Sequence, residues 1–193
     1  MRRRTFDALV SVAGVVLAVV LALAGGLALW GHNFVDSQVS SQLSAQKIVF
    51  PTRGNAEFKA LPKADAAAMG AYAGQQMTTG AQARVYADNF IAFHLSKMGG
   101  TYSQLSAKSM AQPQNVKLAA LVNTVFKGTA LRGMLLNAYA FWQIGVIALW
   151  AAVVAFIGAG LLAIFSVLGF VHARWAGPEA EILAPHVPHT AAV

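Results

Sequence analysis

MLLNAYAFWQIGVIALWAAVVAFIGAGLLAIFSVLGFV, residues 134–171, holds no charged side chain over 38 consecutive positions. A bilayer core of about 30 Å takes about 20 apolar residues of helix. The run is nearly twice that length, and its two parts differ. Residues 134–143 mix Asn137, Tyr139, Trp142 and Gln143 among apolar neighbours. From Ile144 to Val171 the polar side chains are Ser166 and the indole of Trp150. The spanning part is therefore expected at about Gly145–Phe170, with 134–143 a helical extension at the outer interface.

A second charge-free run, Ala8–Trp30, lies near the start. Together the two runs predict an all-α fold: two transmembrane helices flanking a small extracytoplasmic helical bundle, the second helix extended by an outer stalk. The expected division is a basic cytoplasmic N-terminus at 1–7 and a first span at 8–31. An extracytoplasmic domain follows at 32–133, then a second span with its interfacial extension at 134–171 and a flexible cytoplasmic tail at 172–193. Trp30, Tyr139, Trp142, Arg174 and Trp175 are the expected interfacial anchors, because an amphipathic ring or a basic tip suits the headgroup zone.

Both spans carry small residues every four positions. Gly14, Ala18, Ala22 and Gly26 form one ladder, and Ala151, Ala155, Ala159 and Ala163 the other. A smooth stripe lets helix backbones approach closely in lipid, where no hydrophobic drive exists. These eight residues are the predicted helix-packing positions, within the chain or with a partner. Neither span contains an acid, a base or a histidine, which argues against a transport pathway inside one copy.

The 193 residues carry a formal charge of +7 and no cysteine. Disulfides, thiolate catalysis and cysteine metal ligands are thereby excluded. Between the spans lie ten of the fourteen bases and four acids, Asp36, Glu57, Asp65 and Asp88, a net of +6. The bases are spread singly, unlike the clustered face of a nucleic-acid reader. Nucleic acid is not an expected partner. Arg2, Arg3 and Arg4 before the first span favour cytoplasmic retention of that end. The predicted location is a bacterial cell membrane, multi-pass, with both termini cytoplasmic. Two alternatives stay open for the first span: a signal peptide cut near Ala22-Leu23-Ala24, and a twin-arginine signal at Arg3-Arg4-Thr5-Phe6.

After His32 the sequence turns polar, with Val35, Val39 and Leu43 as a thin apolar stripe. The first helix is expected to continue to about Lys47 and to be ended by Phe50-Pro51. A short helix should start at Lys63, and a longer one should run over Gly80–Met98. Thr101 should cap a helix to about Ala111. Leu118, Leu121, Val122, Val125 and Phe126 make an amphipathic stripe over Asn115–Lys127. Gly128-Thr129 is expected to interrupt it before the second span.

No chemical constellation assembles. The chain lacks G-x-S-x-G, H-E-x-x-H, a P-loop and G-x-G-x-x-G. His94 reads as a structural histidine beside an apolar face. His186 and His189 lack a scaffold for a metal. No catalytic residue, cofactor or metal is expected.

The stretches TYSQLSAKS from Thr101, VFKGTALRG from Val125 and LNAYAFW from Leu136, with the N-terminal MRRRTFD, resemble a family of uncharacterised actinobacterial two-span membrane proteins. The resemblance runs through most of the chain and implies its topology. Some members carry the label aromatic ring-opening dioxygenase. That chemistry needs a metal with a full ligand set, and these residues offer none. The expected function is a structural or accessory membrane component. It would associate with another membrane complex or with itself, through the ladders and the Leu135–Gln143 collar. The alternative is an extracytoplasmic binding or sensing module without its own output domain. The expected partners are the lipid bilayer and a membrane protein or further copies of the chain.

Overall fold

The computed structural model describes residues 3–175, and they are helical with no strand among them. The histidines at 186 and 189 and most of the expected cytoplasmic tail lie outside these residues. Eight helical elements follow in order: α1 Arg3–Ala45, α2 Ala56–Lys59, α3 Lys63–Gly70, α4 Gly80–Val85, a π-helical turn Tyr86–Ile91, α5 Ala92–Ser96, α6 Tyr102–Ala111 and α7 Val116–Trp175.

Two of these, α1 and α7, are long and apolar enough to cross a membrane. Only 17% of the most apolar window of each is buried within the protein. A core helix of a soluble protein would bury far more of such a surface. α1 runs 43 residues without a proline and stops where Lys47 adopts a left-handed backbone, φ 53°. The Gln76 side chain donates to the Ser44 carbonyl at 2.9 Å, satisfying one of the free acceptors at the helix end. The stop therefore comes slightly before the Phe50-Pro51 break expected from proline.

The expected interruption at Gly128-Thr129 is absent, because α7 is one helix of 60 residues. Its first turns are the amphipathic Asn115–Lys127 segment. A lone glycine inside a helix costs about 1 kcal/mol relative to alanine and need not break it. Here the missing side chain has a use: a Cβ on Gly128 would come within 2.8 Å of Leu95 Cδ2.

The chain divides into two compact units, residues 3–30 with 148–175, and Gly31–Ile147. Residues 134–147 thus group with the segment that lies between the two most apolar stretches. In that unit Leu43, Phe50, Met69, Met77 and Leu135 are the largest fully buried side chains. The 48–50 and 74–77 segments lie antiparallel, with Met77 N–H bonding Ile48 O at 2.8 Å and Phe50 N–H bonding Gln75 O at 2.9 Å. Gly74, at φ 77°, makes the turn that returns its own N–H to Phe50 O.

The helix starts follow local chemistry. Thr101 and Gln104 form a reciprocal capping box at α6, and Thr79 and Gln82 form another at α4. Gly80–Met98, expected as one helix, is one rod with a π-turn in its middle, and α-helix ends at Ser96. Ala83, Ala87 and Ile91 are its buried stripe, with Tyr86, Phe90, Phe93 and Leu95 packed beside them.

Candidate functional site: a helix seam and a pinned π-turn

In the 3–30 and 148–175 unit the helices run antiparallel, since Gly14 meets Ser166 while Gly25 meets Ala155 and Phe156. Buried positions recur every seven residues: Ser11, Ala18 and Gly25 on α1, and Ala152, Ala159, Ser166 and Ala173 on α7. Between them Gly14, Leu21, Ala28, Ala148, Ala155, Leu162 and Gly169 are half-buried. This is a heptad seam built from small residues. A four-residue step turns a helix by about 40° beyond one full turn, so a ladder of fours drifts off any straight face. A seven-residue step drifts only about 20°, which supercoiling absorbs.

The two patterns therefore part company along the helices. Gly14, Ala18, Ala155 and Ala159 sit in the seam. Ala22, Gly26, Ala151 and Ala163 are exposed on outer faces. The serines, which the ladder did not include, fill glycine notches: Ser166 against Gly14, and Ser11 against Gly169. The Ser11 hydroxyl donates to the Asp7 carbonyl at 2.7 Å, so its polar atom is satisfied within the helix. At the same end His172 Nε2 lies 3.9 Å from Asp7 Oδ2.

In the Gly31–Ile147 unit the polar side chains gather around the π-turn. Arg132 donates from Nη2 to Asp88 Oδ1 at 2.8 Å and from Nε to the Ala87 carbonyl at 3.3 Å. The same carbonyl accepts the N–H of Ala92, five residues on. Arg84 bonds the Tyr139 hydroxyl at 2.9 Å, lies 4.9 Å over that ring and stands 3.8 Å from Asp88. Asn89 donates to Asp65 at 2.9 Å, tying the turn to α3. A cleft of about 550 Å³ opens here among Tyr72, Arg84, Asp88, Tyr139, Trp142 and Gln143.

Of the expected anchors, Tyr139 and Trp142 are half-buried in this unit, and a Cβ on Gly80 would collide with Trp142. Trp30, Arg174 and Trp175 are exposed. His94 bonds its own helix, Nδ1 to Phe90 O at 2.8 Å, with its ring 4.4 Å from that of Phe90. His32 Nδ1 bonds the Gly145 carbonyl at 2.9 Å, which requires the proton on Nδ1. Asp88 lines the cleft, and neither His32 nor His94 does. No group of three or more metal-ligating side chains occurs among the described residues. Burial, followed by the charge of Glu57, raises the Tyr86 phenol above its ordinary value.

No family model matches the chain, and comparison with curated proteins and with solved structures gives no match.

Proposed function

We propose that this chain is a two-span membrane protein of structural or accessory kind, acting by association with another membrane complex or with itself. The observation that supports it most is the heptad seam. Small residues close the two spans on each other and turn large apolar side chains such as Leu23, Leu27, Val154 and Phe165 outward. A pair closed in this way leaves no polar route along its axis, and its outer faces are suited to lipid or to a neighbouring helix.

In this reading residues 31–147 form an extracytoplasmic domain on the helix extensions, with both termini cytoplasmic. The basic Arg2-Arg3-Arg4 end supports that orientation. The polar groups of the domain hold helices together: Arg132 and Asp88 join α7 to the π-turn, and Asn89 and Asp65 join that turn to α3. The test is purification of the tagged full-length protein in a mild detergent, with quantitative mass spectrometry and mass determination. A stoichiometric membrane companion or a homo-oligomer is expected. A monodisperse monomer without a companion would remove this reading.

A second reading, a binding or sensing module, draws on the cleft beside the π-turn. π-Turns inside α-helices occur frequently at functional sites. Arg84 and the aromatic walls of Tyr72, Tyr139 and Trp142 would suit an anionic or planar ligand. Thermal-shift screening of the full-length protein against envelope components, with Arg84→Ala as the comparison, tests it. A ligand that stabilises both forms equally would not bind there.

A further inference from the structure

Outside the buried core of the Gly31–Ile147 unit, a groove of about 530 Å³ runs between α1 and α7. Its lining includes Gln38 and Gln42 from α1, Gln46 from the turn just beyond it, and Met134, Asn137 and Phe141 from α7. Met134 and Phe141 are 64% and 61% exposed. No charged side chain lines it, although the unit carries ten bases against four acids. That contrast selects the occupant. Under a two-fold axis each patch meets a copy of itself, so a charged patch on a unit of net +6 would oppose like charge. A neutral amide is its own complement, because it both donates and accepts. Gln38 and Gln42 lie one turn apart on α1, and Gln46 just past its end faces the same groove.

We infer that this groove is the contact between two copies of the chain, packed as an antiparallel four-helix bundle over Gly31–Ile147. The inference rests on the membrane reading above: copies inserted alike pair about a two-fold axis, and an axis along the α1–α7 pair of this unit makes residues at equal height meet. α1 of one copy then lies against α7 of the other. The His32–Gly145 bond fixes the height of the two helices. Ten residues along each, Gln42 stands level with Leu135, and Asn137 falls level with the turn between Gln38 and Gln42. The amides of the two copies hydrogen-bond across the groove, and Met134 and Phe141 are buried against the facing helix.

The chain has no cysteine, so introduced thiols report without background. Two differently tagged full-length copies, one Gln42→Cys and the other Asn137→Cys, would be co-expressed and oxidised in native membranes. A disulfide joining both tags is expected, several-fold more abundant than one between Gln42→Cys and Ala67→Cys on α3. Adding Gln38→Lys to both copies should reduce it several-fold, while the total of folded protein stays level. A mixed disulfide no more abundant than the α3 control overturns the inference. In that case a photo-crosslinker attached at Gln42→Cys separates two failures. Capture of a different membrane protein in stoichiometric yield leaves the accessory reading standing and removes self-association. A chain that crosslinks to no protein and runs as a monomer removes both.

Discussion

The Ser166 hydroxyl fills the space that a Cβ on Gly14 would need, and Ser11 stands in the same relation to Gly169. The pairing is reciprocal: each long helix supplies one serine and one glycine. It sets the distance between the helices by side-chain volume. Gly14→Leu or Ala18→Leu should destabilise the pair by about 1–3 kcal/mol or more through overpacking. Ala22→Leu, on the outer face, should cost less than about 0.5 kcal/mol. Unfolding of the purified protein in increasing mole fractions of a denaturing detergent would read the difference. Equal losses for Ala18→Leu and Ala22→Leu would show that the seam does not follow the heptad.

Two glycines in the Gly31–Ile147 unit should respond to the same substitution with opposite signs. A Cβ on Gly80 would collide with the Trp142 side chain and come within 3.1 Å of the Ala138 carbonyl. The latter is backbone inside α7 and cannot swing away. Gly80→Ala should therefore destabilise the unit by about 1–3 kcal/mol. A Cβ on Gly133 would meet nothing within 4 Å, and that residue lies inside α7. Gly133→Ala should stabilise by about 0.5–1 kcal/mol, because it restricts the unfolded chain and favours helix. Thermal unfolding of both variants checks this, and a loss from Gly133→Ala would mean a neighbour covers that face.

The apolar runs and the Thr101 cap were legible in the sequence for clear reasons, whereas the Thr79 cap was not expected. A helix long and apolar enough to cross a membrane shows as a long uncharged run. Thr101-x-x-Gln104 is a capping-box pattern, and so is Thr79-x-x-Gln82. The seam period was not legible, because glycine and alanine populate the outer faces as well as the inner ones. Ser11 and Ser166 at seven-residue spacing from the small residues were the available clue. The fit of Leu95 against Gly128 is a tertiary contact that the local sequence does not announce. The π-turn has no residue signature of its own, since what holds it is Arg132, 45 positions after Ala87. The groove amides were visible as the polar flank of the Val35, Val39 and Leu43 stripe, but which flank stays uncovered depends on how the short helices pack.

Arg132 joins Asp88 and the Ala87 carbonyl, so its removal should act locally. Both partners of the ion pair are 38% exposed, and solvent screening keeps its worth near about 1 kcal/mol. Arg132→Ala also removes the donor to Ala87 O. The amide of Ala92, which bonds that carbonyl, should then exchange its hydrogen several-fold faster, ahead of any change in the buried Leu43 and Leu135 turns. Arg132→Lys should keep part of the charge pairing and lose the second bond, because an ammonium cannot reproduce the guanidinium fork. Site-resolved hydrogen exchange decides the point: uniform acceleration throughout the unit would mean that Arg132 supports the whole bundle.

Tyr86 gives the unit an alkaline limit. Its phenol is raised above 10.0, first by burial and then by the Glu57 charge. The folded state therefore holds the phenolic proton more tightly than the unfolded chain does. The associated stability is fully present below the unfolded value near pH 10. It is lost as pH rises from there through the raised folded value, because the unfolded form releases its proton first. Tyr86→Phe keeps a ring against Phe50, at 5.3 Å edge to face, and against Phe90, at 4.8 Å, while removing the titrating group. The stability profiles of the two proteins should run parallel below about pH 9 and diverge above about pH 10, with the parent falling more steeply. Denaturant unfolding across that range, followed together with the phenolate absorbance, measures both the slope and its origin. Equal slopes in parent and variant would assign the alkaline loss to the lysines and leave Tyr86 a packing residue only.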